Sequence, residues 1–380
     1  MDWVKTRLIS PLLVLLLLSS CNREDKVVGI AVDIEYTGQV SIFDLFEKVE
    51  LIPLETSDHS LLVDISKIQI YEDDFYILDY PLSRVLIFNN QGKFVNSIDH
   101  WGVGPGEYIS ISDFNIDNQT ELTLLSPDNW SMYYYNLDGS FKNKVELPVI
   151  GRAYKSFQFL NRDTIIFWTF DEKNRIKFYS LKEDRIIKEA FPEEDNYFNS
   201  FSIQEFPYGN YLSRSSQNTV FGILPSCDVK VAYTWNFGKL NNSKKQLLKA
   251  PKFFSDPHEM QSFVEDVYSS KNINYIFNYQ GGNEKYLYTQ IIRENNHINI
   301  FHTKETQENY LFILTSEQAG LYPVYWTDEY IVGIQPSSVE LENVVPDILL
   351  DEENKKKKQS ISEMDNPVLI KYYFKSRSCG

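Results

Sequence analysis

The residues with the clearest potential for ligand chemistry are aromatic rings and guanidinium groups that fall in predicted loops. They are Tyr80, Arg84, Trp101, Trp130, Arg152 and Arg175. An aromatic ring offers an apolar platform to a sugar or a peptide, and a guanidinium can bind an anionic group through two parallel hydrogen bonds. The alternative is structural: the tryptophans would pack between neighbouring modules and each arginine would form a local ion pair. The sequence leaves both interpretations open.

Motifs for catalysis or for metal binding are incomplete in this chain. His258-Glu259 begins like the zinc motif His-Glu-x-x-His, but Ser262 stands where the second histidine is needed. His297 and His302 flank one predicted strand five positions apart, so their side chains point to opposite faces and cannot hold one metal. We therefore predict no cofactor. The sequence leaves enzymatic activity open and favours its absence.

The N-terminus predicts export and a lipid anchor. Lys5 and Arg7 precede an apolar run over residues 11–18, followed by Ser19-Ser20-Cys21. A positive start, a short apolar stretch and small residues indicate a signal peptide, and the run is shorter than the roughly 20 residues that span a bilayer. Leu18-Ser19-Ser20-Cys21 resembles the bacterial lipobox, in which the cysteine is acylated and becomes the first residue. We predict a signal peptide over 1–20 and lipidation of Cys21.

The charged stretch after Cys21 bears on location. Residues 21–45 are predicted to be a tether, and the acidic pair Glu24-Asp25 loosely fits a signal for export to the outer face in lipoproteins of the Bacteroidetes. A solvated linker is the alternative. The predicted location is the cell envelope, on a lipid anchor in the outer membrane, with exposure at the cell surface as one expectation.

Composition excludes some partners and favours β-structure. The full chain carries a net charge of −16, and removal of Asp2, Lys5 and Arg7 with the leader leaves about −17. Such an acidic surface repels phosphate backbones, so we expect no nucleic-acid partner. Aromatic residues make up 15% of the chain, which favours strands. Cys227 and Cys379 could pair in an oxidising compartment, and the sequence does not decide whether they do.

A repeated strand pattern predicts the architecture. Six strand-like segments, each in a unit of about four short strands, begin at positions 75, 121, 164, 211, 285 and 330. The spacing is 43–47 residues except for one interval of 74, and Gly92 and Gly139 occupy equivalent tight turns 47 positions apart. Short strands on this period indicate blades. The sequence predicts an all-β, six-bladed β-propeller over residues 46–380, in which strand 49–54 completes a blade with strand 367–374.

Two insertions interrupt the predicted ring. Residues 240–273 explain the long interval, and their apolar spacing near 3.6 residues predicts a helix in a loop between blades. Residues 337–365 contain Asp351-Glu352-Glu353-Asn354 followed by four lysines, Lys355–Lys358. The acidic block beside the lysines favours a solvated loop. A patch for an acidic partner is the alternative.

Several of these segments resemble the six-bladed β-propeller lipoproteins of the Bacteroidetes, whose blades are similar to divergent NHL repeats. The resemblance rests on Phe75–Asp79, Val85–Asn89, Gln91–Phe94 and Gly102–Tyr108, and it is strong over roughly residues 65–140. It implies the propeller fold and a binding or accessory role with an unknown ligand. Taken alone, Gly102–Gly106 lacks the Lys-Ser/Thr of a phosphate-binding loop and is predicted to be a turn.

Propeller geometry places the candidate residues on one side of the ring. The links between second and third strands, and the links between blades, emerge together on one face, which receives all six rings and guanidiniums named above. We therefore predict a lipid-anchored envelope protein that binds a glycan, a peptide or an envelope protein on that face. The alternative is a metal-dependent hydrolase or lyase that gathers its ligands in the central channel.

Overall fold

The chain folds into a ring of six small antiparallel sheets. The computed structural model describes residues 28–35, 39–117, 121–150, 154–171, 174–191, 201–206, 209–214, 217–241, 256–273, 275–336 and 339–376. Its N-terminal elements are β1 (Val28–Ala31), α1 (Ile42–Leu45) and β2 (Phe46–Pro53). The six-bladed β-propeller predicted from the sequence is confirmed.

The blades follow one another along the chain, four strands at a time. Blade 1 comprises β3 (Lys67–Tyr71), β4 (Asp74–Asp79), β5 (Arg84–Phe88) and β6 (Phe94–Ile98); blade 2 comprises β7 (Asp113–Ile116), β8 (Glu121–Ser126), β9 (Ser131–Asn136) and β10 (Phe141–Glu146). Blade 3 comprises β11 (Tyr154–Asn161), β12 (Thr164–Thr169), β13 (Ile176–Ser180) and β14 (Arg185–Ala190); blade 4 comprises β15 (Phe201–Phe206), β16 (Gly209–Arg214), β17 (Thr219–Ile223) and β18 (Val229–Asn236). After α2 (Pro257–Ser269), blade 5 comprises β19 (Tyr275–Gly282), β20 (Tyr286–Arg293), β21 (Asn296–Thr303) and β22 (Asn309–Phe312). Blade 6 contains β23 (Pro323–Trp326), β24 (Tyr330–Ile334) and, after α3 (Leu341–Val344) and α4 (Glu352–Gln359), β25 (Val368–Phe374).

Packing between blades explains why the middle strands are apolar throughout. The first strand of each blade contacts the first strand of the next around the ring, from β3 through β23 and back to β3. Every residue of β12 is buried, because a middle strand of a blade is covered on both faces. Outer strand β10 is mostly exposed. Six clusters of buried apolar side chains each fill one seam between neighbouring blades.

The two ends of the chain close the ring in one blade, as predicted. Strand β2 pairs antiparallel with β25 over Phe46–Pro53 and supplies the fourth strand of blade 6. Closure removes an unpaired edge that would otherwise be open to pairing with another chain. Phe46 is fully buried and its ring lies 5.1 Å from that of Phe374.

A second N-terminal strand lies within the stretch predicted to be a tether. Strand β1 pairs parallel with β18 over Val28–Ala31 and makes blade 4 five-stranded. Ile30, Val32 and Ile34 are buried against blades 4 and 5, so apolar burial holds this segment on the ring. Residues before position 46 therefore also pack on the ring. Residues 1–27, including Cys21, lie outside the described residues.

Both insertions contain helices. Helix α2 lies in the link between blades 4 and 5, as predicted, and Asp256 caps its N-terminus by accepting from the Glu259 N–H at 2.9 Å. Residues 242–255 of that insertion lie outside the described residues. The second insertion lies between β24 and β25, within blade 6. No helix of the described residues is long and apolar enough to cross a membrane.

Candidate functional site

The strand order defines two faces of the ring. The loop face carries the links from second to third strands and the links between blades; the turn face carries the tight turns from first to second and from third to fourth strands. Gly92 and Gly139 have φ of +77° and +85° in third-to-fourth turns, a conformation that favours glycine. Every described candidate binding residue lies on the loop face or at its edge, which is the location predicted from the sequence.

The Gly102–Tyr108 segment holds the link between blades 1 and 2 against the core. The buried Tyr108 hydroxyl donates to the Ile98 carbonyl at 3.0 Å and accepts from the His100 N–H at 3.1 Å. The Glu107 carboxylate accepts from the Gly104 N–H at 2.8 Å, which ties the loop to itself. The segment is a turn, as predicted, and its anchors leave the tip of the loop facing solvent.

Trp101 and Val103 are displayed by that loop. Trp101 is 72% exposed and Val103 is 91% exposed, although an isolated bridge joins Trp101 to the buried Tyr108. Most of the surface of both side chains is therefore in water, although Trp101 is joined to the ring through its backbone. Among the residues proposed from sequence, Trp101 is the one whose ring is most available to a ligand.

Tyr80 and Arg84 lie at the two ends of the second-to-third link of blade 1. Tyr80 is 48% exposed, and the Lys155 ammonium lies 4.9 Å from its ring centroid. Arg84 contacts the buried Asp79 carboxylate, with Nη2 at 3.2 Å from Oδ2, and also donates to the Leu61 carbonyl. The Arg84 guanidinium therefore holds this link to the preceding one. The Arg84–Asp79 ion pair is the structural role that the sequence left open as the alternative to ligand binding.

Trp130 packs between blades. Its ring centroid lies 6.0 Å from that of Tyr154, nearly perpendicular, and it covers the buried cluster of the seam between blades 2 and 3. Its backbone has φ of +50°, and its carbonyl accepts from the Leu147 N–H at 2.6 Å. These contacts account for Trp130 without a ligand. A binding role for it stays a prediction.

Arg175 and Arg152 complete the predicted set. Arg175 is half-buried at the start of β13, where its N–H donates to the Phe191 carbonyl at 3.0 Å and its carbonyl accepts from the Thr169 N–H. Arg152 lies outside the described residues. The structure brings the five described candidates to one face but does not gather them into one pocket. Ligand binding by this set therefore stays a prediction.

Exposed apolar side chains concentrate on the loop face, a feature that the sequence analysis missed. Most of the large apolar side chains exposed in the described residues belong to its links: Leu61, Val63, Tyr80, Leu82, Trp101, Val103, Ile109, Val149, Phe170, Ile313, Leu314, Ile348 and Met364. Single exposed apolar side chains are common on protein surfaces, whereas a contiguous patch of them marks an interaction site. Single valines and leucines in polar loops give no signal in a sequence, because their exposure depends on the fold.

The lysine run lies on a helix, and this corrects the expectation of a solvated loop. Helix α4 begins at Glu352, capped by Asp351, whose side chain accepts from the Asn354 N–H at 2.8 Å. Lys358 contacts Glu342 and lies 2.8 Å from Asp347. The loop expectation was wrong because an N-cap and well-placed acidic partners favour a helix. Lys358 and its neighbours neutralise local carboxylates, which leaves little free positive charge for an acidic partner.

The inner strands near the axis are joined by polar contacts. The buried Asp113 carboxylate accepts from Lys67 Nζ at 2.7 Å and from the Phe157 N–H at 2.8 Å, and so links blades 1, 2 and 3. Asn115 donates to the Phe157 carbonyl at 2.6 Å. Within the part of the chain that the structure describes, no three His, Cys, Asp or Glu side chains are grouped to hold a metal ion.

The isolated histidines and cysteines named from sequence have different surroundings. His297 Nδ1 lies 3.3 Å from Gln290 Oε1, and burial lowers the pKa of its ring. His302 is buried, with Nδ1 at 2.9 Å from Asn309 Oδ1. Cys227 is a buried free thiol whose pKa is raised by burial. Cys379 lies outside the described residues.

A cavity on the turn face was not predicted. It lies between blades 1 and 2, has a volume of about 420 Å³, and is called the blade 1–2 cavity below. Its walls combine three carboxylates, two tyrosines, an amide and three aliphatic side chains: Glu72, Asp74, Asp138, Tyr71, Tyr76, Asn96, Ile87, Val95 and Leu137. Burial first, and then the charges of Asp73 and Glu72, raise the pKa of Asp74. The lining residues come from six separate turns and strands, so no contiguous sequence motif indicates the cavity.

Comparisons with known proteins agree with this architecture. A solved structure from Bacteroides fragilis, of a protein named as exported, is 19% identical, covers 92% of this chain and 100% of its own, and has a TM-score of 0.72. A member of the duf4221 family from Bacteroides vulgatus is 13% identical, covers 90% of this chain and 99% of its own, and has a TM-score of 0.55. At these identities the likeness shows the fold alone. A search of curated proteins found no match. The profile described as "Domain of unknown function (DUF4934)" matches residues 25–373, nearly the whole chain, and the protein therefore belongs to the DUF4934 family.

Proposed function

We propose that this protein is an exported lipoprotein, anchored to the cell envelope through Cys21, that docks a peptide or protein partner on its loop face. The observation that carries the proposal is the set of exposed apolar side chains on that face, with Trp101 and Val103 at 72% and 91% exposure. When a partner covers these side chains, their apolar surface is removed from water, and this stabilises the complex.

The chemistry of the face favours a polypeptide over a glycan. Glycan sites pair aromatic rings with polar groups that hydrogen-bond sugar hydroxyls, but Val63, Val103, Val149 and Met364 offer only apolar contact. The Arg84 guanidinium is held by Asp79 and the Leu61 carbonyl. A peptide or protein can cover aliphatic and aromatic groups together. A glycan ligand is the other outcome that the binding test distinguishes.

The location is supported from two directions. The leader and Leu18-Ser19-Ser20-Cys21 fit a lipobox, and the similar Bacteroides fragilis protein is named as exported. The outer membrane is the membrane we propose, with Glu24 and Asp25 favouring its outer face. Cys21→Ser should abolish incorporation of labelled palmitate and release the protein from the membrane fraction. Retention of label by Cys21→Ser would contradict the anchor.

The binding proposal is tested by measuring binding to a panel of peptides and, separately, to a panel of glycans. The two measurements distinguish a polypeptide ligand from a glycan ligand. We expect peptide ligands whose affinity falls at least tenfold in Trp101→Ala and in Val103→Asp. Ile187→Ala is the matched control, since Ile187 is similarly apolar and 37% exposed on the outer strand β14. Binding only in the glycan panel, or equal losses in all three variants, would contradict a polypeptide site on the loop face.

The alternative, a metal-dependent hydrolase or lyase in the channel, receives no specific support from the described residues. Asp113, a buried carboxylate near the axis, already accepts hydrogen bonds from Lys67 and from the Phe157 N–H. Calcium or zinc bound in stoichiometric amount to the purified protein would favour this alternative.

A further inference from the structure

The blade 1–2 cavity is negatively charged at its rim and aromatic and aliphatic on its walls. Glu72 and Asp74 come from the first turn of blade 1 and Asp138 from a turn of blade 2. None of its nine lining residues is basic. A volume of about 420 Å³ is enough for one long side chain. Carboxylates beside tyrosine rings and aliphatic walls are complementary to a cation carried on an alkyl chain.

The neighbouring seam contains a cation at the equivalent position. Ile87, which lines the cavity, pairs with Tyr76, the third residue of β4. Lys371 pairs with Val332, the third residue of β24. Ile87 and Lys371 thus occupy the same register position on the third strands of blades 1 and 6. Both side chains point toward the following blade.

Lys371 shows which groups hold an ammonium at this position. Lys371 is buried, with 6% of the residue exposed. Its Nζ lies 4.6 Å from the centroid of the Tyr330 ring and 5.1 Å from that of Phe75 in blade 1. Burial lowers its pKa, while the carboxylates of Glu50 and Asp73 favour its charged form. Two rings and nearby carboxylates therefore hold a buried lysine between blades 6 and 1.

The blade 1–2 seam has the same kinds of groups but lacks the lysine. Tyr71 and Tyr76 supply rings, and Glu72 and Asp74 supply carboxylates. Ile87 is too short to reach these groups as a lysine would, and a cavity is left in the seam. At this register position the two seams differ by an ammonium on an alkyl chain, which Lys371 carries and Ile87 does not. The rings come from different positions, because Asp74 occupies the place of Tyr330.

We propose that the blade 1–2 cavity binds a lysine side chain supplied by a partner polypeptide. The ammonium would lie among Glu72, Asp74 and the tyrosine rings, and its methylene groups would pack on Ile87, Val95 and Leu137. The net charge of −16 attracts basic segments from a distance. This site is lined by residues other than the exposed apolar side chains of the loop-face links, and it does not depend on the function proposed above.

The first test measures binding of Nα-acetyl-lysine methylamide by NMR titration of the purified protein. We expect binding that weakens with added salt, is at least tenfold weaker for the norleucine and Nε-acetyl-lysine analogues, and falls at least fivefold in Asp74→Asn and in Glu72→Gln. Asp163→Asn is the matched control, because Asp163 lies in the corresponding turn of blade 3, remote from the cavity. A lysine held in a short Gly-Ser peptide should bind at least as tightly as the single residue. Equal binding of the norleucine analogue, or tighter binding of free cadaverine than of the peptide, would overturn the proposal.

The second test supplies the missing group from the chain itself. Ile87→Lys should fold, because Lys371 is accepted at the same position, and should lose binding of the lysine ligand. The reciprocal Lys371→Met should leave the blade 1–2 cavity intact and bind the ligand as the wild type does. Undiminished binding by folded Ile87→Lys would overturn the proposal, and if that variant fails to fold, the Asp74→Asn comparison decides.

Discussion

Leu62 and Asn366 are 304 positions apart in the chain, yet the Leu62 N–H donates a hydrogen bond to Asn366 Oδ1 at 2.8 Å. The Asn366 amide also donates to the carbonyls of Glu55 and Ser60 at 2.7 and 2.8 Å. Asn366 is buried, so these bonds are shielded from water. One side chain therefore satisfies three backbone groups of the link that leads into blade 1 and ties it to the C-terminal strand.

We expect Asn366→Ala to destabilise the ring strongly. The substitution leaves the Leu62 N–H and the Ser60 carbonyl without their partner, while the Glu55 carbonyl keeps its hydrogen bond from the Ser60 hydroxyl. The loss costs on the order of 2–4 kcal/mol. The measurement is the free energy of unfolding in urea, with Asn90→Ala as the matched control on an exposed turn. Equal stability of the two variants would show that the Asn366 contacts do not hold the closure.

A second prediction tests the contribution of the N-terminal strand to closure. Phe46 is fully buried against the rings of Phe301, Tyr372 and Phe374. Phe46→Ala should lower the free energy of unfolding by about 3–5 kcal/mol, because it opens a cavity in the seam. Phe43→Ala, three residues earlier and 37% exposed, should change it by less than about 1 kcal/mol. Similar losses in both variants would contradict this account of closure.

Substitution of the two loop-face tryptophans should have opposite effects. Trp130→Ala should lower stability, whereas Trp101→Ala should lower peptide binding. Trp130→Ala removes a ring packed on Tyr154 and should lower the free energy of unfolding by about 2 kcal/mol. Trp101→Ala should leave stability within about 0.5 kcal/mol of the wild type, because Trp101 is 72% exposed. Thermal unfolding and peptide binding measured on the same samples separate the two roles. A large loss of stability in Trp101→Ala would contradict its assignment to the binding surface.

Acid should weaken the contact between Glu317 and the N-terminal segment that precedes β2, the fourth strand of blade 6. Burial opposes ionisation of Glu317, but hydrogen bonds from the Ser41 hydroxyl, the Ile42 N–H and Ser316 outweigh it and lower its pKa to about 2. Because the folded pKa lies below the ordinary 4.5, the stabilisation is complete above pH 4.5 and is lost as the pH falls toward 2. After discounting for solvent screening it amounts to about 1–2 kcal/mol.

The pH dependence of unfolding measures this contribution. Glu317→Gln should flatten the change in unfolding free energy between pH 4.5 and 2, relative to the wild type. Glu305→Gln, at an exposed turn position, is the control and should retain the wild-type slope. A wild-type slope in Glu317→Gln would refute the role of these hydrogen bonds.

The ring and its closure could be predicted from sequence because both depend on local, repeated signals. Apolar second strands recur at a regular interval, and turns such as Gly92 and Gly139 divide them. The strand near residue 50 and the strand near residue 370 each needed a partner, which a closed ring supplies. The loop-face location of Trp101 could be predicted because Trp101 lies in a link between blades, and all such links emerge on the same face.

The remaining features depend on side-chain contacts between distant segments. The equivalence of Ile87 and Lys371 appears only once the ladder register is known, and the cavity beside Ile87 needs residues from two blades. Asn366 gives no local signal, because its partners lie about 300 positions earlier. The helix bearing Lys358 was missed because its acidic neighbours suggested solvation, whereas Asp351 caps a helix.

The central claim, that the loop face binds a polypeptide at the cell envelope, is tested most directly by photo-crosslinking in whole cells. A photoreactive residue at Val103 reports on the loop face, and one at the exposed Asp163 reports on the turn face. We predict a discrete protein adduct from position 103 that disappears when Trp101→Ala is added, with no such adduct from position 163. An adduct of equal yield from both positions, or one unaffected by Trp101→Ala, would contradict the claim.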